Sequence, residues 1–249
     1  MRECGGAASS KRKRRDQMLF QLLTGSGDLK TKLIFVALYL IAIIVSLSFH
    51  EWAHAHAAHS MGDDTAMNLG RMTLNPMAHI DPSGFLMLLL LGFGWAKPVP
   101  VNPRNYRNYR WGEFRVSFAG IFTNLIIALI SAFLYVGFSV YEIRTGSEMP
   151  ELLYTFLYIV GILNCSLAIF NFIPVYPLDG AHIFDLVFGK LVGSRVLLWM
   201  HRNGRFILYG IFILNFVFAR HGFSPLGTAV NWLYLKFISL FTALANLIP

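Results

Sequence analysis

The stretch Phe49-His50-Glu51-Trp52-Ala53-His54 closes an apolar run, and its reading decides the fold. Histidines four apart lie one turn above each other on one helix face, so both imidazoles can reach one ion. Glu51, beside the first, is placed to take a proton from a water at that ion. The setting is unusual for such a set. Leu33 to Phe49 carries no charged residue, so the histidines sit on what reads as a membrane helix. A satisfied polar cluster between helices is the plainer reading of them. Three ionisable groups within five apolar-helix residues make that costly and point to function instead.

Of the 249 residues, 55% are hydrophobic and 14% charged, which indicates a polytopic membrane protein rather than a soluble domain. The net charge of +8 is spread over several loops, as expected of residues that set membrane topology, and no nucleic-acid partner is expected. Cys4 and Cys165 have no metal-type spacing, and no structural disulfide is expected between them. Residues 1–28 read as a basic flexible tail, with Lys11-Arg12-Lys13-Arg14-Arg15 suited to an anionic lipid surface.

The first span is predicted from about Lys32 to about Ser60, ended by Gly62-Asp63-Asp64. Leu69 to Pro76 reads as a short β-prone stretch. Phe85 to Leu91 is apolar, but only about a dozen residues separate Gly84 from Lys97. That is too short to cross and predicts a re-entrant segment. Pro98, Pro100 and Pro103 then force extended chain. Val116–Tyr141 and Leu152–Ile173 are clear spans, joined by a polar loop. Residues 181–205 read as an amphipathic connection, and Phe206–Ala219 and Leu226–Ile248 as the last apolar runs. The predicted fold class is an all-α polytopic membrane protein. It has about five transmembrane helices, a re-entrant segment and a short β-strand or hairpin region. Residues 29–185 form its core, and residues 186–249 hold the connection and the C-terminal helices.

A catalytic zinc keeps three protein ligands and one open position. Asp179, where the third span breaks at Pro174 and Pro177, is the best third candidate. Helix parity supports it. His50 and Asp179 both lie at C-terminal helix ends, so one full span must separate them, and Val116–Tyr141 is that span if Phe85–Leu91 does not cross. Leu178-Asp179-Gly180 is also good turn chemistry, so a purely structural role stays open at this point. Asn124, in mid-span, reads equally as helix-packing glue or as an active-site donor.

The sequence resembles the site-2 protease family of intramembrane zinc metalloproteases. The resemblance rests on His50-Glu51-x-x-His54 and on Gly70-Arg71-x-Thr73-Leu74-Asn75-Pro76 with His79-Ile80-Asp81-Pro82. It rests further on Gly94-Trp95-Ala96-Lys97-Pro98-Val99-Pro100-Val101-Asn102-Pro103, and on Asn171-x-x-Pro174 with Leu178-Asp179-Gly180. It implies that His50, His54 and Asp179 are zinc ligands and Glu51 the catalytic base. Asn124 and Asn171 would serve substrate or the transition state. One departure is visible: Ala119-Gly120 is followed by Ile121 where the family often has proline. No PDZ or CBS regulatory module is expected in this chain.

His56 and His59 fall elsewhere on the first helix and are expected to support the ligands from behind or to lie at the interface, while His79 and Asp81 are expected to brace their loop. The function this predicts is Zn2+-dependent hydrolysis of peptide bonds within or near transmembrane segments of membrane-protein substrates. Residues 70–75 would offer a strand edge to which an unwound substrate adds. The rival readings are a metal-binding or metal-transporting membrane protein, and a catalytically inactive scaffold. The active site is expected within the bilayer, nearer the cytosolic side.

Overall fold

The computed structural model describes residues 28–91 and 95–247, so the predicted basic tail, Cys4 included, lies outside the described residues. Helix α1 spans Leu29–Ser60, started by Asp28, whose carboxylate accepts the Thr31 N–H at 3.0 Å. Its 32 residues rise roughly 48 Å, more than a bilayer's apolar thickness. It stops at Gly62, whose φ of 103° turns the chain away. Short α2 (Thr65–Asn68), α3 (Pro82–Leu91), α4 (Tyr109–Thr145) and α5 (Glu151–Asn171) follow. Then come α6 (Asp179–Val192), α7 (Ser194–Arg220) and α8 (Pro225–Ala245).

Four of these helices, α1, α4, α5 and α8, are long and apolar enough to cross a membrane. The five-span expectation is therefore not met among the described residues. The difference lies in α7. Residues 181–205, expected as an amphipathic connection, are nearly all of α6 and the first half of α7, two amphipathic helices divided at Gly193 (φ 82°). The apolar run from Phe206 is thus continuous with a stretch carrying Arg195, Arg202 and Arg205. The expected core boundary at residue 185 falls inside α6.

The β-prone stretch forms no strand. Among the described residues there is one isolated antiparallel bridge, between Ile80 and Ala96. Within 70–75 the Thr73 carbonyl is taken by His79 Nε2–H at 2.7 Å, and the Asn75 N–H by the Thr73 hydroxyl at 3.1 Å. Those side-chain bonds bend the chain and remove groups a strand ladder would use.

The bridge decides the path of the predicted re-entrant segment. Lys97 N–H donates to His79 O at 2.8 Å, so the chain entering α3 and the chain leaving it lie side by side. Ten residues of helix rise roughly 15 Å, half the bilayer core. Its flanks at Ile80 and Ala96 thus lie together, as the predicted re-entrant segment requires. Phe85 anchors it against the cluster of Ala42, Ile43, Ile159 and Leu163 from α1 and α5.

The bundle is α1, α4 and α5, with α8 on its outer side. Close approach comes from small residues, as is usual where lipid competes for apolar surface. Ala128, Ala132 and Cys165 let Tyr234 of α8 reach the core, and a Cβ at Gly161 would collide with its ring.

Beyond the end of α1, Asp63 ties three segments together. Fully buried, it accepts the Asn102 N–H at 2.6 Å, the Asn105 amide at 2.8 Å and the Thr65 N–H at 3.2 Å, as well as the Thr65 hydroxyl. Burial pushes its carboxyl pKa up, but these donors outweigh it and hold it below the ordinary 3.8. A depressed carboxylate stabilises the fold above its unfolded pKa, and that stability disappears as pH falls through the folded value. Asp63→Ala is expected to cost about 1–3 kcal/mol, read as a lowered thermal unfolding midpoint in detergent. The gap to wild type should narrow as pH drops below about 4.

Candidate metal centre

Two turns of α1, the first half of α4 and the start of α6 meet at one point. His50 Nε2 and His54 Nε2 lie 3.0 Å apart, and Asp179 Oδ2 is 3.4 Å from each. Among the described residues this trio is the one group of three such side chains able to share an ion. All three are largely out of solvent.

The protonation of both imidazoles is set by their other nitrogens. His54 Nδ1–H donates to the Val116 carbonyl at 2.8 Å, and His50 Nδ1–H donates to Asn124 Oδ1 at 2.7 Å. Each Nε2 therefore turns a lone pair inward. Two lone pairs at 3.0 Å do not bond to each other, and Asp179 Oδ2 is buried without a hydrogen-bond donor among the described residues. Buried polar atoms left this way are costly, and a shared cation satisfies all three. Zinc–ligand bonds of roughly 2.0–2.2 Å imply tetrahedral ligand separations of roughly 3.3–3.6 Å. Both separations to Asp179 match, and the 3.0 Å between the imidazoles would open slightly around an ion.

Room for the rings comes from Gly120. A Cβ there would stand 2.5 Å from His54 Nε2 and 2.7 Å from His50 Nδ1. The third ligand arrives through a tight approach of the chain to itself. A Cβ at Gly180 would stand 2.7 Å from Ile173 O, so the Leu-Asp-Gly turn folds back closely enough to start α6 beside the histidines. Helix α6 is then pinned by His182 to Glu113 of α4 at 2.8 Å, and by Asp185 to His201 of α7 at 2.9 Å.

Glu51, also buried, is held from outside the bundle. Its Oε2 accepts the Val99 N–H at 2.9 Å. That N–H is delivered by the extended segment after α3, which Arg71 clamps through the carbonyls of Lys97 (2.7 Å) and Pro98 (3.2 Å). The proline-rich stretch and the loop containing Arg71 thus act as one brace behind the acid.

This arrangement has known counterparts. The profile of Peptidase family M50 matches residues 38–217. YwhC of Bacillus subtilis is 41% identical over 193 residues, 77% of this chain and 83% of that protein. The chain belongs to peptidase family M50, the site-2 protease family. MJ0392 of Methanocaldococcus jannaschii is 24% identical over 176 residues, 71% of this chain and 42% of that protein. Rip2 of Mycolicibacterium smegmatis is 24% identical over 163 residues, 62% of this chain and 60% of that protein. All three relatives carry the name zinc metalloprotease. No solved structure matches the chain.

Other side chains singled out by sequence take various places in this M50 fold. Asn124 is fully buried and faces His50, its amide nitrogen given to Asn164 Oδ1 at 2.8 Å. Asn171, half-buried, ends α5 and donates to Leu167 O of its own helix at 3.0 Å. His56 is exposed and stacks on Trp52, and His59 pairs with Asp64 at 2.6 Å. His79 and Asp81 do brace the loop, Asp81 by accepting the Gly84 N–H at 2.8 Å. Sequence reasoning missed the clamp by Arg71, the Val99 N–H, Gly120 and Asn164. Of these, only Asn164 announced itself: an asparagine in mid-span is as costly as Asn124.

Proposed function

We propose that this chain is a zinc metalloendopeptidase that hydrolyses peptide bonds within or near transmembrane segments of other membrane proteins. What carries the reading is the convergence of two inward-facing imidazoles and a carboxylate oxygen without a donor at 3.0–3.4 Å, beside a buried glutamate in an apolar bundle. His50, His54 and Asp179 are the ligands. When bound, zinc supplies a Lewis acid that makes water a nucleophile near neutral pH. The rest falls to the chain. Glu51, its Oε2 held by the Val99 N–H, keeps Oε1 for accepting the proton of the attacking water and passing it to the leaving amine. Asn171, at the end of α5, is the polar side chain assigned to the substrate.

A substrate helix hides its carbonyls in its own hydrogen bonds, so it must unwind before any of these groups can reach one. Arg71, Lys97, Arg104, Arg107, Arg110 and Arg115 all lie at the metal end of the bundle, which supports a cytosolic placement of that end. The test is cleavage of a panel of membrane-spanning substrates by purified protein in lipid vesicles, with zinc content measured alongside. One zinc per chain is expected, with cleavage abolished by chelation and restored by zinc. Cleavage surviving complete zinc removal would overturn the reading, as would a zinc-replete protein that cuts no member of the panel.

A further inference from the structure

A line of hydrogen bonds runs from the metal centre through three helices and ends on two main-chain carbonyls. His50 Nδ1 meets Asn124 Oδ1 at 2.7 Å, and Asn124 Nδ2 meets Asn164 Oδ1 at 2.8 Å. Asn164 Nδ2 meets Ser46 Oγ and Val160 O, both at 2.8 Å, and Ser46 Oγ meets Ala42 O at 2.7 Å. None of Ser46, Asn124 and Asn164 is more than 1% exposed, and His50 is 5% exposed. Four polar side chains in an apolar bundle are costly unless every one is satisfied.

The line can run in one direction. A main-chain carbonyl only accepts, so the side-chain atom of Asn164 facing Val160 O must be the NH2 group. Ser46 has a single hydroxyl proton, and Ala42 O takes it, so Ser46 can only accept from Asn164. Asn164 therefore turns its oxygen to Asn124, and Asn124 turns its own oxygen to His50. The consequence reaches the ring: Nδ1 must carry the proton, and Nε2 must present its lone pair to the ion.

We infer that Asn164, through Asn124, is a positioning residue that locks His50 into its metal-ligating tautomer. The reference points are the carbonyls of Val160 and Ala42. The inference rests on the zinc reading of the trio but not on peptide hydrolysis. His54 has no such line, since Val116 O takes its Nδ1–H directly. Seating α5 against α1 and α4 therefore decides whether His50 is ready for metal.

Removing Asn164 tests this. In Asn164→Leu the Asn124 amide loses its acceptor and is free to turn its NH2 group toward His50, drawing the ring to the Nε2–H form. Zinc affinity of the purified protein, measured by chelator competition, is expected to fall about 10–100-fold. Ser46→Ala should change it little, because Val160 O alone still orients Asn164. Ser131→Ala is the control for general packing: it removes another buried α4–α5 bond, to Leu157 O, and should lower stability without weakening zinc. Wild-type affinity in Asn164→Leu, or an equal loss in Ser131→Ala, would overturn the inference. If Asn164→Leu does not fold, the wild type decides. Nitrogen-15 histidine spectra of the metal-free protein should give His50, assigned by its loss in His50→Asn, as the Nδ1–H tautomer. The Nε2–H tautomer would overturn the inference. A protein that binds zinc as described yet cleaves nothing would fail the protease reading and leave this one standing.

Discussion

Glu51→Gln protein is expected to bind zinc as the wild type does and to cleave about 10²–10⁴-fold more slowly, the range for loss of a general acid–base. The substitution is conservative where structure is concerned. Gln keeps a side-chain oxygen for the Val99 N–H, so the brace built from Arg71 and the segment after α3 stays in place. It also removes a buried negative charge without changing volume, so the unfolding temperature should not drop. What it cannot do is take up a proton. The measurement is a single-turnover cleavage rate beside zinc stoichiometry on the same preparation. Undiminished cleavage would remove Glu51 from the chemistry. Lost zinc would make it a structural partner of the ligands.

The second large effect is expected from the smallest change. In Gly120→Ala the new methyl carbon stands 2.5 Å from His54 Nε2 and 2.7 Å from His50 Nδ1, well inside contact distance. Neither ring can retreat freely. His54 is tied to Val116 O and His50 to Asn124, both on the helix that carries the methyl group. Either the rings break those bonds and lose their orientation, or α1 and α4 move apart at their closest approach. Zinc affinity is expected to fall by at least about 100-fold, beyond the usual effect of a residue that only supports a ligand. Gly137→Ala on the same helix has open space around it and should bind zinc normally. Wild-type zinc affinity in Gly120→Ala would mean that the rings sit elsewhere when metal is bound.

The two variants probe different levels of legibility. Glu51 was readable because its place beside His50 follows from adjacency on one helix. Gly120 was not, because a glycine in an apolar run carries no mark of what faces it. Asn124 lay between: its cost in mid-span was visible, but not that its oxygen would be spent on His50. The fifth span is left unconfirmed for a physical reason. Hydropathy windows divide a chain by composition, whereas α7 is held continuous from Ser194 by helix hydrogen bonding that ignores the arginines. The strand at 70–75 failed because His79, six residues away from Thr73, claims the carbonyl a ladder would need.

Two histidines one turn apart, an acid beside them and an apolar run before them depend only on helix periodicity and hydropathy. Local sequence therefore determined the apolar setting, two of the three clustered metal-binding side chains and the acid beside them. Parity even supported Asp179, since counting spans requires no coordinates. The tautomer of His50, the space for both rings and the support behind Glu51 were decided by tertiary structure alone. Each depends on an atom from another segment, at Asn164, Gly120 or Val99, and the distance between helices is set by packing that no single segment encodes.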